Sequence, residues 1–60
     1  MNWRELNRKL NILTEDEVLA LLEAERIGAK RVTFLERLHQ RYTMLRAARE
    51  RVELLKEAVK

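Results

Sequence analysis

The sequence predicts an all-α fold, a helical hairpin preceded by a short helix, and three observations carry that expectation. Gly occurs once and Pro not at all in 60 residues, so the turn residues that a sheet protein needs are missing. Hydrophobic residues make up 47% and charged residues 38%, which is too apolar for disorder and suits helices with one greasy face. Apolar residues recur at steps of three and four along most of the chain, the spacing of one helical face. Residues 1–60 are expected to form one small helical domain, of a size that buries only about 60% of the surface its unfolded chain exposes.

The first helix is expected within residues 1–13, where Trp3, Leu6, Leu10 and Leu13 form a single stripe. The second should span about 15–27. It opens on Thr14-Glu15-Asp16-Glu17, a capping box in which the Thr hydroxyl accepts from the Glu17 backbone N–H and the Glu17 carboxylate reaches back. Three acids in its first turn also face the positive end of the helix dipole. Gly28 should end this helix as the left-handed residue past its terminus, opening the turn of an αα-hairpin over residues 28–32. Thr33-Phe34-Leu35-Glu36 repeats the capping pattern, so the third helix is expected over about 34–59.

Along that third helix Leu38, Tyr42, Leu45, Ala48, Val52, Leu55 and Val59 keep the mean 3.5-residue period of a coiled-coil seam. At 1.5 Å per residue it is about 39 Å long, and the second helix only about 20 Å. One short antiparallel helix cannot cover so long a stripe. Each exposed side chain forgoes roughly 1.5–3 kcal/mol of burial, and a contiguous open row marks an interface. The expected cover is a second copy of the chain, a dimer favoured, making a bundle of hairpins. Glu25, Arg41 and Arg49 are the expected flanking polar contacts. Glu25 falls near the middle of the second helix's apolar face, and a carboxylate there needs a partner, for which Arg37 or Arg41 is expected.

The residue inventory gives no enzyme. His39 is the only acid–base candidate near neutral pH, and Ser and Cys are both absent, so a nucleophile with a positioned base is not available. His39 is read as a surface or interface hydrogen-bonding group. One His and no Cys give no expected metal site, and no cofactor is implied. Trp3 and Tyr42 are read as packing residues. No run of about 18 apolar residues is present to cross a membrane. Met1-Asn2-Trp3-Arg4-Glu5 lacks the apolar core of a secretory signal, so a cytoplasmic location is expected.

Net charge is +3, from 13 Lys and Arg against 10 Asp and Glu, but it is unevenly spread. Glu15, Asp16, Glu17, Glu23 and Glu25 form an acidic stretch with no cation, and a basic stretch from Lys30 to Arg51 follows. An alternative function is therefore a small basic DNA- or RNA-binding dimer using Lys30, Arg31, Arg37, Arg41 and Arg46 on phosphates. Against it, these cations do not share one face, and Glu50 and Glu53 stand four residues after Arg46 and Arg49 to pair with them. The acidic second helix should also lie against the basic segment.

The stretch from Leu21 to Tyr42, Leu-Leu-Glu-Ala-Glu-Arg-Ile-Gly-Ala-Lys-Arg-Val-Thr-Phe-Leu-Glu-Arg-Leu-His-Gln-Arg-Tyr, resembles small uncharacterised helical proteins encoded by tailed bacteriophages. They share a leucine/glutamate helix, a Gly-containing basic turn and a helix opening on Thr or Ser, and the likeness extends over residues 14–55. It implies a compact helical hairpin, a setting in the host cytoplasm or the virion, and an accessory or structural protein that binds a virion or host protein. It implies no activity. The function expected from the residues is a non-enzymatic protein–protein interaction module that self-associates.

Overall fold

The computed structural model describes residues 1–59 and is all-α. Its helices are α1 (Trp3–Leu10), α2 (Glu15–Ile27) and α3 (Val32–Ala58).

Helix α1 starts on a cap formed by Asn2, whose side-chain oxygen accepts from the Glu5 backbone N–H at 2.8 Å. It ends two turns later. Leu13, expected on its stripe, falls in the connection to α2, where its N–H donates to the Lys9 carbonyl at 3.2 Å. The Thr14 capping box forms as expected. The Thr14 hydroxyl accepts from Glu17 N–H at 3.2 Å, and the Glu17 carboxylate accepts from Thr14 N–H at 3.0 Å.

The chain breaks at Gly28, but not by the expected left-handed route. Gly28 has φ −92°, and Lys30 takes the positive value, 52°. What Gly28 supplies is close approach: a Cβ there would lie 3.1 Å from the Ala24 carbonyl oxygen, the acceptor of the Gly28 N–H. The second capping pattern also fails to form. Arg31 is the N-cap of α3, with no side-chain cap bond, and Thr33 lies inside the helix. The reason is Glu25, whose carboxylate takes the Arg31 backbone N–H at 2.9 Å and draws the start of α3 two residues earlier than 34.

Helix α2 runs antiparallel to α3, tied by Glu25 to Arg31 at one end and by Glu15 to Arg49 at the other. Helix α1 follows the first half of α3 in the same direction. Trp3 meets Phe34 edge-on at 5.8 Å, Asn7 accepts from Arg37 at 2.9 Å, and the Leu10 carbonyl accepts from Arg41 at 3.1 Å. The core lies between the three helices: Leu6, Leu10, Val18, Leu22, Phe34 and Leu38, with Leu13, Leu21, Leu35, Tyr42 and Leu45 packed around them.

Both short helices thus lie along α3 no further than Arg49. The 27 residues of α3 span about 40 Å and the 13 of α2 about 20 Å, so the last turns of α3 run on alone. The described chain measures 46 × 21 × 15 Å with a radius of gyration of 13.6 Å. A compact chain of this length would have about 10 Å. The unaccompanied helix end makes the difference.

Candidate functional site

The sequence-defined seam divides in two. Leu38 is 2% exposed and belongs to the chain's own core, and Tyr42 and Leu45 pack against that core. Ala48, Val52, Leu55 and Val59 are exposed, Leu55 by 57% and Val59 by 84%. Met44 and Leu54 are exposed as well. Neither sits on the seven-residue repeat, so a search for a narrow seam passes over them. At 3.6 residues per turn, Met44, Leu45, Ala47, Ala48, Val52, Leu54, Leu55, Ala58 and Val59 share roughly half of the helix circumference, interrupted by Arg51 alone. Arg49 and Lys56 edge this apolar face on one side, and Arg51 lies within it, beside the row formed by Val52, Leu55 and Val59. Glu50, Glu53 and Glu57 take the far face.

Local pairs stiffen this segment. Arg46 binds Glu50 at 2.7 Å, and Arg49 binds Glu53 at 3.1 Å, both with i,i+4 spacing as expected. Arg49 also holds Glu15 of α2 through two bonds, at 2.9 and 3.3 Å. Hydrogen bonds to these two carboxylates raise its pKa, keeping it a cation. Arg49 is thus the last point at which α2 grips α3.

Glu25 has a partner as expected, but it is buried, and the partner is Arg31 and not Arg37 or Arg41. Glu25 stands at the end of α2 beside the turn, whereas Arg37 and Arg41 point to α1. The Arg31 guanidinium donates to both Glu25 oxygens, at 2.8 and 3.1 Å, and a further N–H reaches the Met1 carbonyl at 3.0 Å. Its carbon lies 3.5 Å from the Phe34 ring centroid. The Arg31 side-chain bonds, followed by its backbone N–H, lower the Glu25 pKa from 4.5 to about 2. One arginine therefore knots the hairpin turn to the N-terminus.

The cations suggested for phosphate binding are largely engaged within the fold. Arg31 holds Glu25, Arg37 donates to Asn7 and Gln40, Arg41 donates to Leu10, and Arg46 holds Glu50. Lys30 sits in the turn. His39 is exposed, and Trp3 remains 47% exposed beyond its contact with Phe34.

Among the described residues no group of three or more His, Cys, Asp and Glu side chains is placed to share a metal ion, and no helix is long and apolar enough to cross a membrane. Two shallow cavities mark the surface. One, of about 310 Å³, is lined by Trp3, Thr33, Glu36, Arg37 and Gln40. The other, of about 320 Å³, lies between the end of α1 and α2 and is lined by Met1, Lys9, Leu13, Glu17, Ala20 and Leu21. No protein-family model matches the chain, nor does any curated protein or solved structure.

Proposed function

We propose that this chain is a non-enzymatic protein–protein interaction module that self-associates through the unaccompanied end of α3. The observation that carries this is the exposure of Val52, Leu54, Leu55 and Val59 on one helix segment beyond the reach of α1 and α2. Burying a row of such side chains is the main source of association energy available to a chain with so small a core. Internal acceptors on Arg31, Arg37, Arg41 and Arg46 support a protein partner over a phosphate backbone. The phage accessory or structural role, and the host cytoplasm or virion as its setting, belong to the same proposal on the resemblance of Leu21 to Tyr42.

Sedimentation velocity across micromolar concentrations tests it. The wild-type chain should shift to a dimer as concentration rises, and Leu55→Glu should stay monomeric while keeping its helical circular dichroism. A wild-type chain that sediments as a folded monomer throughout would end the self-association reading.

A further inference from the structure

Self-association through the end of α3 leaves open what that end meets on the other copy. Seam-to-seam pairing of two α3 ends brings like charges together. Lys56 edges one side of the row formed by Val52, Leu55 and Val59 and Arg51 the other, so parallel and antiparallel pairings both set cations beside cations. Glu53 is already taken by Arg49, and Glu50 and Glu57 lie on the far face, where they do not relieve this.

The same chain presents a surface of the opposite character. On the outer face of α2, turned away from α3, Ala20, Ala24 and Ile27 form an exposed stripe at helical spacing, and Ile27 is 83% exposed. Asp16 and Glu23 flank this stripe on one side and Glu17 on the other, all exposed, with Arg26 meeting Glu23 at 3.5 Å and leaving Asp16 and Glu17 without a cation of their own among the described residues. Beside it opens the 320 Å³ groove whose apolar walls are Met1, Leu13, Ala20 and Leu21, with Lys9 and Glu17 as its polar lining. Its volume admits a leucine or valine side chain. An apolar row edged by cations and a shallow apolar track edged by acids are complementary in both shape and charge.

We infer that the occupant of the exposed α3 end is the outer face of α2 on a second copy, with Val52, Leu55 and Val59 against the Ala20–Ile27 track and its groove, and with Arg51 and Lys56 facing Asp16 and Glu23. This rests on the self-association proposed above and adds which surfaces meet. The small Ala20 and Ala24 side chains let the helices approach closely, and the bulk comes from α3. Each copy carries both halves of the contact, so two copies satisfy both halves when each α3 end reaches the other's α2.

Charge reversal on the full chain, read by sedimentation velocity, separates this contact from its rivals. Arg51→Glu with Lys56→Glu, on turns the fold does not use, should weaken association about tenfold or more, as should Asp16→Lys with Glu23→Lys. All four substitutions in one chain should restore association toward the wild-type level, because the pairs are re-formed with signs exchanged. Raising salt from about 0.1 M to about 1 M, which shortens the screening length from about 10 Å to about 3 Å, should loosen the wild-type assembly.

Circular dichroism of each variant at low concentration confirms its helices. If the wild type assembles and Leu55→Glu breaks the assembly, but Asp16→Lys with Glu23→Lys has no effect, the α2 contact is wrong and self-association stands. Assembly that tightens with salt, as relief of cation repulsion between two α3 ends demands, overturns it in the same way. A wild-type monomer overturns both.

Discussion

Leu38 and Leu55 lie on one helix and one seven-residue repeat, yet the fold gives the same Leu→Ala change opposite consequences at the two sites. Leu38 is 2% exposed, at the centre of a six-residue core shared by all three helices. Truncation there removes buried methyl groups and leaves a cavity, at a cost of about 2–5 kcal/mol. A core of this size rarely supplies more than about 3–5 kcal/mol in total. Leu38→Ala should therefore lower the melting temperature by roughly 10 °C or more, at about 4–8 °C per kcal/mol for so short a chain, or unfold it outright. Leu55 is 57% exposed and touches nothing the monomer needs, so Leu55→Ala should change monomer stability by no more than about 0.5 kcal/mol. Circular-dichroism melts at low and high protein concentration provide the assay. Leu38→Ala should destabilise at both concentrations, and Leu55→Ala only where the wild type assembles. Equal losses for the two variants in dilute solution would refute the division of the seam into an internal half and an open half.

Acid should weaken the fold through Glu25. Its pKa falls from 4.5 to about 2 on folding, so its contribution is complete above about pH 4.5 and is lost as pH drops toward about 2. Glu25→Gln should lower the melting temperature at pH 7 and flatten its dependence on pH across that window. Glu17, whose pKa is lowered by the Thr14 backbone N–H and hydroxyl, leaves a smaller residual slope of the same sign. Thr14→Ala should cost about 0.5–2 kcal/mol in thermal unfolding, and Thr33→Ala no more than about 0.5, since only the first capping box forms. Lys30→Gly should raise stability by about 0.5–1 kcal/mol in the same melts, because a non-glycine residue at φ 52° carries a steric cost of about 1–2 kcal/mol, partly offset by the greater freedom of glycine in the unfolded chain.

What could be read from the sequence followed local chemistry. Period and caps placed three helices, the Thr14 box marked the start of α2, and the break at Gly28 stood out as the only glycine. The pairs Arg46–Glu50 and Arg49–Glu53 needed only helical spacing. Features set by folding were harder to see. Thr33-Phe34-Leu35-Glu36 has the composition of a cap but loses the position to Arg31, because a carboxylate six residues upstream captures the Arg31 N–H. The partner of Glu25 followed the turn rather than the seam, since Arg37 and Arg41 are drawn off by a first helix whose direction no local signal reveals. The Asn2 cap was available in Asn2-Trp3-Arg4-Glu5, an Asn three residues before a Glu. The division of the seam came from length: the long helix outruns its neighbours, and the first half of its stripe is the half they cover.

Backbone protection should therefore grade along a single rod. Turns of α3 near Phe34 and Leu38 are locked on two sides, so their amide hydrogens exchange only when the whole domain opens. Beyond Arg49 each turn relies on its own ladder bonds and on the propensity of its Glu, Arg, Lys and Leu residues, which sustain an isolated helix of fewer than about 12–15 residues only marginally. Those amides should exchange fastest in dilute solution and slow markedly once assembly sheathes them, so that deuterium uptake along one helix reports both folding and docking.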